Sequence, residues 1–186
     1  MTATFVVPAT DHLPEYEEAL RRGWSADNIR GRAAAEEELA RIADDPGAFL
    51  ASLDDPQAKG PPIRLSDGGA VPRLPSLRRW IWDDGFCGSV GLRWQAGTAE
   101  LPPHVLGHVG YAVVPWREGR GYATRGLALM LEEARGVGLP YVELTAQEAN
   151  PASVRVIEKN GGRLVERFAD HVHHGGREVL RFRIQL

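Results

Sequence analysis

The sequence predicts an α+β fold in which helices pack on a mostly antiparallel sheet of six to seven strands, and three observations carry that prediction. Two β-rich runs, 77–82 and 86–94, flank Asp83-Asp84-Gly85, a strong hairpin signal. Alternating apolar residues lead up to Pro115, and after a short glycine-containing turn Ala123, Leu127, Met130, Leu131 and Ala134 recur at helical spacing. That is strand, turn, helix. Two further β runs, 163–169 and 178–185, meet at a turn around Gly175-Gly176. No internal repeat or low-complexity tail is present, and 186 residues are enough to bury a core without staples, so residues 1–186 are expected to form one domain.

The remaining elements follow in order. Phe5-Val6-Val7 reads as a short first strand closed by Pro8, and Pro14 starts a helix that reaches Arg22 with Leu13, Tyr16 and Leu20 on one face. A second helix is expected over 26–42, where Ile29, Ala33, Leu39 and Ile42 recur. Residues 54–75 are rich in Pro, Gly and Asp and read as a loop, either a mobile flap or an ordinary surface connection. His108 to Val114 forms the strand before the glycine turn, Gly138-Leu139-Pro140 ends the following helix, and Tyr141-Val142-Glu143-Leu144-Thr145 is the next strand.

Composition narrows the functional classes. Hydrophobic content of 43% and charged content of 25% are those of an ordinary globular protein. No membrane-spanning run and no signal-like N-terminus are visible, so a cytoplasmic location is expected. Cys87 is the only cysteine, which leaves no internal disulfide and fits a reducing compartment. A net charge of −3 argues against nucleic-acid binding and suits a cationic amine substrate.

The turn 118–124, Glu-Gly-Arg-Gly-Tyr-Ala-Thr, is where the chemistry concentrates. It opens a helix whose first N–H groups lack intrahelical partners and carry the positive end of the helix dipole. Gly119 and Gly121 let an anion approach the backbone, and Arg120 and Arg125 can add charge at the rim. A diphosphate ligand is expected. The turn lacks the lysine and spacing of a mononucleotide loop. It matches the dinucleotide fingerprint only in part, because Thr124 holds the third glycine position, although Glu143 lies at a plausible distance for a ribose contact.

This stretch resembles motif A of the GNAT superfamily of acyl-CoA-dependent N-acetyltransferases, with Glu118 where the family prefers Gln or Arg. The block 150–162, Asn-Pro-Ala-Ser-Val-Arg-Val-Ile-Glu-Lys-Asn-Gly-Gly, is similar to the family's motif B, a helix capped by Asn150 with Pro151 at its first position and stopped by Gly161. The resemblance covers roughly the C-terminal 110 residues, and is nearest to predicted acetyltransferases near the ribosomal-protein group. It implies a sheet with splayed central strands and acetyl-CoA as cosubstrate. Ala112, Val113, Gly119, Arg120, Gly121, Tyr122, Ala123, Thr124, Asn150 and Ser153 would bind that molecule, with the main chain of Ala112 and Val113 holding the pantetheine arm. It implies direct acetyl transfer to a primary amine of a small molecule or peptide, and a homodimer is possible within the family. A non-catalytic acyl-CoA sensor is the alternative.

The catalytic groups are less marked. Many family members place a tyrosine acid where this chain has Ile157, which leaves Ser153 as the local candidate near the sulfur. His108 and Glu143 compete as general base, His108 because it titrates near neutrality and Glu143 from the neighbouring strand. His104 is weaker. Cys87 has no histidine placed beside it, and His171, His173 and His174 sit in a turn where solvated histidines are the rule, so no metal is expected.

Overall fold

The computed structural model describes residues 3–64, 68–170 and 175–186. In chain order the elements are β1 (Thr4–Val6), α1 (Leu13–Arg21), α2 (Arg32–Asp44), α3 (Pro46–Ala51), β2 (Ile63–Arg64), β3 (Ala70–Val71), β4 (Ser76–Trp82), β5 (Phe86–Arg93), β6 (Val109–Val113), α4 (Tyr122–Gly136), β7 (Tyr141–Gln147), α5 (Pro151–Lys159), β8 (Arg163–Asp170) and β9 (Arg177–Gln185). The expected sheet is opened into two halves: a four-stranded sheet in the order β1-β4-β5-β6 and a three-stranded sheet in the order β7-β9-β8, with β2-β3 a separate small hairpin. Every named pairing is antiparallel.

The β4–β5 hairpin turns where expected, on Asp84 and Gly85 with φ of 48° and 115°, the conformation that Asp-Gly sequences favour. One face of both sheets buries Ile81, Val90, Val142, Leu144 and Phe182 against Leu127, Met130, Leu131 and Ala134 of α4. Gly126 marks the closest approach of that helix, since a Cβ there would lie 2.6 Å from Ile81 Cδ1. The opposite face of the four-stranded sheet carries α1, α2 and α3 over an aromatic cluster in which Tyr16 stacks on Trp80 at 4.3 Å and meets Phe86 edge-on at 5.3 Å. Such ring pairs contribute about 0.5–1.5 kcal/mol each beyond their buried area.

Three segments depart from or add to the sequence reading. The second helix starts at Arg32 rather than near residue 26, because Asp27 Oδ1 accepts the N–H groups of Ile29 and Arg30 and so holds a turn in place of helix. The short α3 was overlooked, although Asp45-Pro46 announces it: Asp45 Oδ1 accepts the N–H of Ala48 at 2.8 Å. The 54–75 segment is anchored rather than loose at its base, with Asp54 bonded to Arg79 and Asp55 bridged to Ser76. It follows the β4 edge, and none of its described residues lines the cleft between β6 and β7.

Candidate active site

The gap between the half-sheets is the candidate site. β6 and β7 touch at one end through His108, whose N–H donates to the Glu143 carbonyl at 2.7 Å while its Nδ1 accepts the Glu143 N–H at 2.9 Å. Beyond that pin no ladder bond joins the two strands, and a cleft of about 680 Å³ opens between them.

Register decides which backbone groups face the cleft. The bonds Arg93 N–H to His108 O and Val114 N–H to Cys87 O fix the phase of the β5–β6 ladder, so Gly110 and Ala112 turn their polar groups toward β5. Tyr111 and Val113 therefore present theirs to the gap. By the same argument the bond from Glu148 N–H to Glu178 O leaves Thr145 and Gln147 facing it from β7. Ala112, expected to offer its backbone to the gap, is instead turned toward β5, and Tyr111 faces the gap in its place. The Val113 carbonyl already accepts the Trp24 indole N–H at 3.2 Å, which leaves its N–H as the open group.

At the mouth of the cleft stands the first turn of α4. Its cap is Gly121 at φ 80°, preceded by Gly119 at φ 72°, and no side chain caps the helix. The left-handed conformation explains both glycines: L side chains adopt it only at a cost. Arg125 is the first residue whose N–H bonds back, to the Gly121 carbonyl at 3.0 Å, so the amides of Tyr122, Ala123 and Thr124 have no intrahelical acceptor. Gly119, Gly121, Tyr122, Ala123 and Thr124 all line the cleft, whereas Arg120 does not.

The opposite lip is α5. Asn150 Oδ1 caps it by accepting the Ser153 N–H at 3.1 Å, and Asn160 Nδ2 ties it to α4 by donating to the Thr124 carbonyl at 3.2 Å. Asn150 and Ser153 line the cleft, as do Arg155 and Lys159, one turn apart on the same helix and overlooked from sequence. Their i, i+4 spacing beyond the Asn150 cap was the available signal. Tyr111 was also overlooked as a side chain. Its hydroxyl donates to the Ser153 carbonyl at 3.2 Å within the cleft, and burial pushes its pKa up, only partly offset by that bond.

His108 and Glu143 do not have the form of free bases. His108 is buried, its Nε2 donates to the Ala99 carbonyl at 3.1 Å, and its Nδ1 is already an acceptor, so neither nitrogen has a lone pair to offer. Burial lowers its pKa, against the opposing pull of the Ala99 bond and the Glu143 charge. For Glu143, burial alone would raise the pKa, but hydrogen bonds and charge from Arg183 and Arg181, the former at 2.7 Å, hold it below the ordinary carboxylate value. Cys87 is buried and its pKa is raised by that burial, which makes it a poor nucleophile. Among the described residues no group of three or more His, Cys, Asp or Glu could hold a metal ion, and His171, His173 and His174 lie outside the described residues. No helix among the described residues is long and apolar enough to cross a membrane.

Residues 72–163, which run from the approach to β4 through both lips of the cleft, match the family model described as an acetyltransferase (GNAT) domain. The chain carries a GNAT domain. Solved structures share the fold of this chain over nearly its whole length. RimL, a ribosomal L7/L12 alpha-N-protein acetyltransferase in complex with coenzyme A, is similar at TM-score 0.65 and 11% identity, covering 100% of this chain and 95% of that one. The microcin C7 self-immunity acetyltransferase MccE, in complex with acetyl-CoA and AMP, is similar at TM-score 0.60 and 10% identity, with 99% and 92% covered. A spermidine N-acetyltransferase SpeG chimera from Vibrio cholerae and hSSAT is similar at TM-score 0.56 and 14% identity, with 100% and 96% covered. No curated protein matches the chain by sequence.

Proposed function

We propose that the protein is an acetyl-CoA-dependent N-acetyltransferase that transfers acetyl directly to a primary amine of a small molecule or peptide. The observation that carries this reading is the cleft pinned shut by His108 at one end and open at the other onto the uncapped amides of α4. Those amides suit a diphosphate, and Arg155 and Lys159 supply positive charge beside it. The backbone of Tyr111 and Thr145 and the N–H groups of Val113 and Gln147, whose carbonyls already accept from Trp24 and Asn150, suit an extended amide-bearing arm, which would bond to them as an added strand does.

In the reaction the neutral amine nitrogen attacks the thioester carbonyl carbon, the C–S bond breaks, and the sulfur takes a proton. Ser153 remains a candidate to stabilise or protonate the sulfur, and the Tyr111 hydroxyl beside it keeps its proton at neutral pH and can share that role. We assign His108 to holding the strands, and Glu143 to fixing Arg181 and Arg183. With both engaged, loss of the amine proton falls to solvent. The rate should then follow the amine pKa of the acceptor. The buried lone cysteine fits work in a reducing compartment, for which we retain the cytoplasm.

The test is thiol release from acetyl-CoA across amine panels that include aminoglycosides, polyamines, amino acids and peptide N-termini. Release with at least one class supports the transferase. Tight coenzyme A binding with no release from any amine would favour a non-catalytic acyl-CoA sensor.

A further inference from the structure

We propose that the acceptor amine also carries an acidic group, a carboxylate or a phosphate, and that Arg78 and Arg93 hold it in a glycine-floored trough beside the cleft. This rests on the transferase reading above and names its substrate class. Register sets Arg78 opposite Gly91 and Gly91 opposite Gly110, a row across β4, β5 and β6 on one face. One step along the same face, Trp80, Ser89 and Ala112 are buried beneath α1, α2 and α3. The roof does not extend over the glycine row, where Gly110 is exposed and Gly91 half-buried.

Each guanidinium borders one of the two glycines. A Cβ at Gly110 would lie 3.4 Å from Arg93 Nη2, and one at Gly91 would lie 4.0 Å from Arg78 Nη2. Gly110 also lines the cleft, so the trough opens onto it, and Asn28 of the α1–α2 connection faces the same space. Neither arginine side chain makes an ion pair with an acidic residue among the described residues, in contrast to Arg79, Arg181 and Arg183. Arg93 is exposed to solvent along the glycine row but has protein on its flanks. That crowding first, and the like charge of Arg78 second, lower its pKa, with only Asp27 opposing. The Asp27 Oδ1 is already taken up by the N–H groups of Ile29 and Arg30. Two neighbouring guanidiniums with no direct ion pair, and with Asp27 as the one opposing charge on Arg93, are relieved by a bound anion, and their forked donors match carboxylate and phosphate oxygens. The overall charge of −3 therefore misleads about the acceptor, because the local field in the trough has the opposite sign.

The experiment uses matched acceptors with the full chain: dipeptides against their C-terminal amides, alanine against ethylamine, glucosamine 6-phosphate against glucosamine, and spermidine as a polycation. We expect the acid-bearing partner of a pair to show a KM lower by about tenfold, and R78Q or R93Q to raise that KM by about tenfold with kcat nearly unchanged. Coenzyme A affinity by calorimetry should not change in either variant. The dipeptide and phosphate arms separate the two anion types. Equal or better use of the neutral or polycationic acceptors, or an unmoved KM in both variants, overturns the proposal. Should no amine release thiol, the transferase reading fails by itself, and the trough is then read by titrating coenzyme-A-loaded protein with glucosamine 6-phosphate and N-acetylaspartate. Binding lost in R93Q keeps the anion site, and no binding to the parent protein removes it.

Discussion

Replacing His108 with alanine separates its two roles most sharply. In the fold its ring bonds the Ala99 carbonyl and the Glu143 N–H, and it is 1% exposed. Truncation leaves the Glu143 amide without an acceptor at a cost of about 1–3 kcal/mol and removes one further bond worth about 1 kcal/mol. A void on the order of 60 Å³ adds roughly 1.5 kcal/mol. The sum is about 3.5–5.5 kcal/mol, which lowers Tm by roughly 10–15 °C in a chain of this size. pH gives an independent check. The folded imidazole has a lowered pKa, so as pH falls below about 6.5 the unfolded state takes up the proton first and stability declines toward the lowered folded value. Above that window His108 contributes no pH dependence. Urea denaturation of the parent and of His108→Ala from pH 5 to 8, with pH–rate profiles of kcat/KM on both, measures each quantity. A variant as stable as the parent, whose profile had lost a limb near pH 6.5, would refute the strand-pin argument and restore His108 as a base.

Gly121→Glu places a carboxylate in the anion cradle and a side chain at φ 80°, so coenzyme A binding should weaken about 100-fold or more, ~2.7 kcal/mol, while stability falls by only about 1–2 kcal/mol; unchanged calorimetric affinity would contradict the placement. Glu118 lines the same cleft as an anion, so Glu118→Gln should tighten coenzyme A binding by about two- to fivefold at low salt, less at high salt, and a weaker complex would show that its carboxylate is a contact rather than a repulsion. Ser153→Ala and Tyr111→Phe should each lower kcat with little change in coenzyme A affinity, as stopped-flow and calorimetry would show, and a parent-like kcat in both would exclude them from proton delivery to sulfur.

The parts legible in the sequence were those dictated by local chemistry. Asp83-Asp84-Gly85 had to turn, Gly119 and Gly121 had to mark a left-handed entry to a helix, and Asn150-Pro151 had to start another, because each depends on a few neighbouring dihedrals and one or two hydrogen bonds. The same logic was available for Asp45-Pro46 and for the Asp27 turn, where helical periodicity concealed it. Arg155 and Lys159 could have been found by placing them on the helix that Asn150 caps.

Tertiary structure alone decided what those pieces do together. Nothing near His108 in the chain announces that Glu143 and Ala99 will occupy both of its nitrogens, since those partners arrive from other segments and remove the basicity that an isolated imidazole has. The phase of a ladder gave the cleft to the backbone of Tyr111 rather than Ala112, a one-residue choice that only pairing with β5 makes. The sequence by itself determined the helix starts, the hairpin and the glycine turn before α4. The opening between β6 and β7 was set by long-range contacts, because whether two strands zip or part depends on what each is bonded to on its other side.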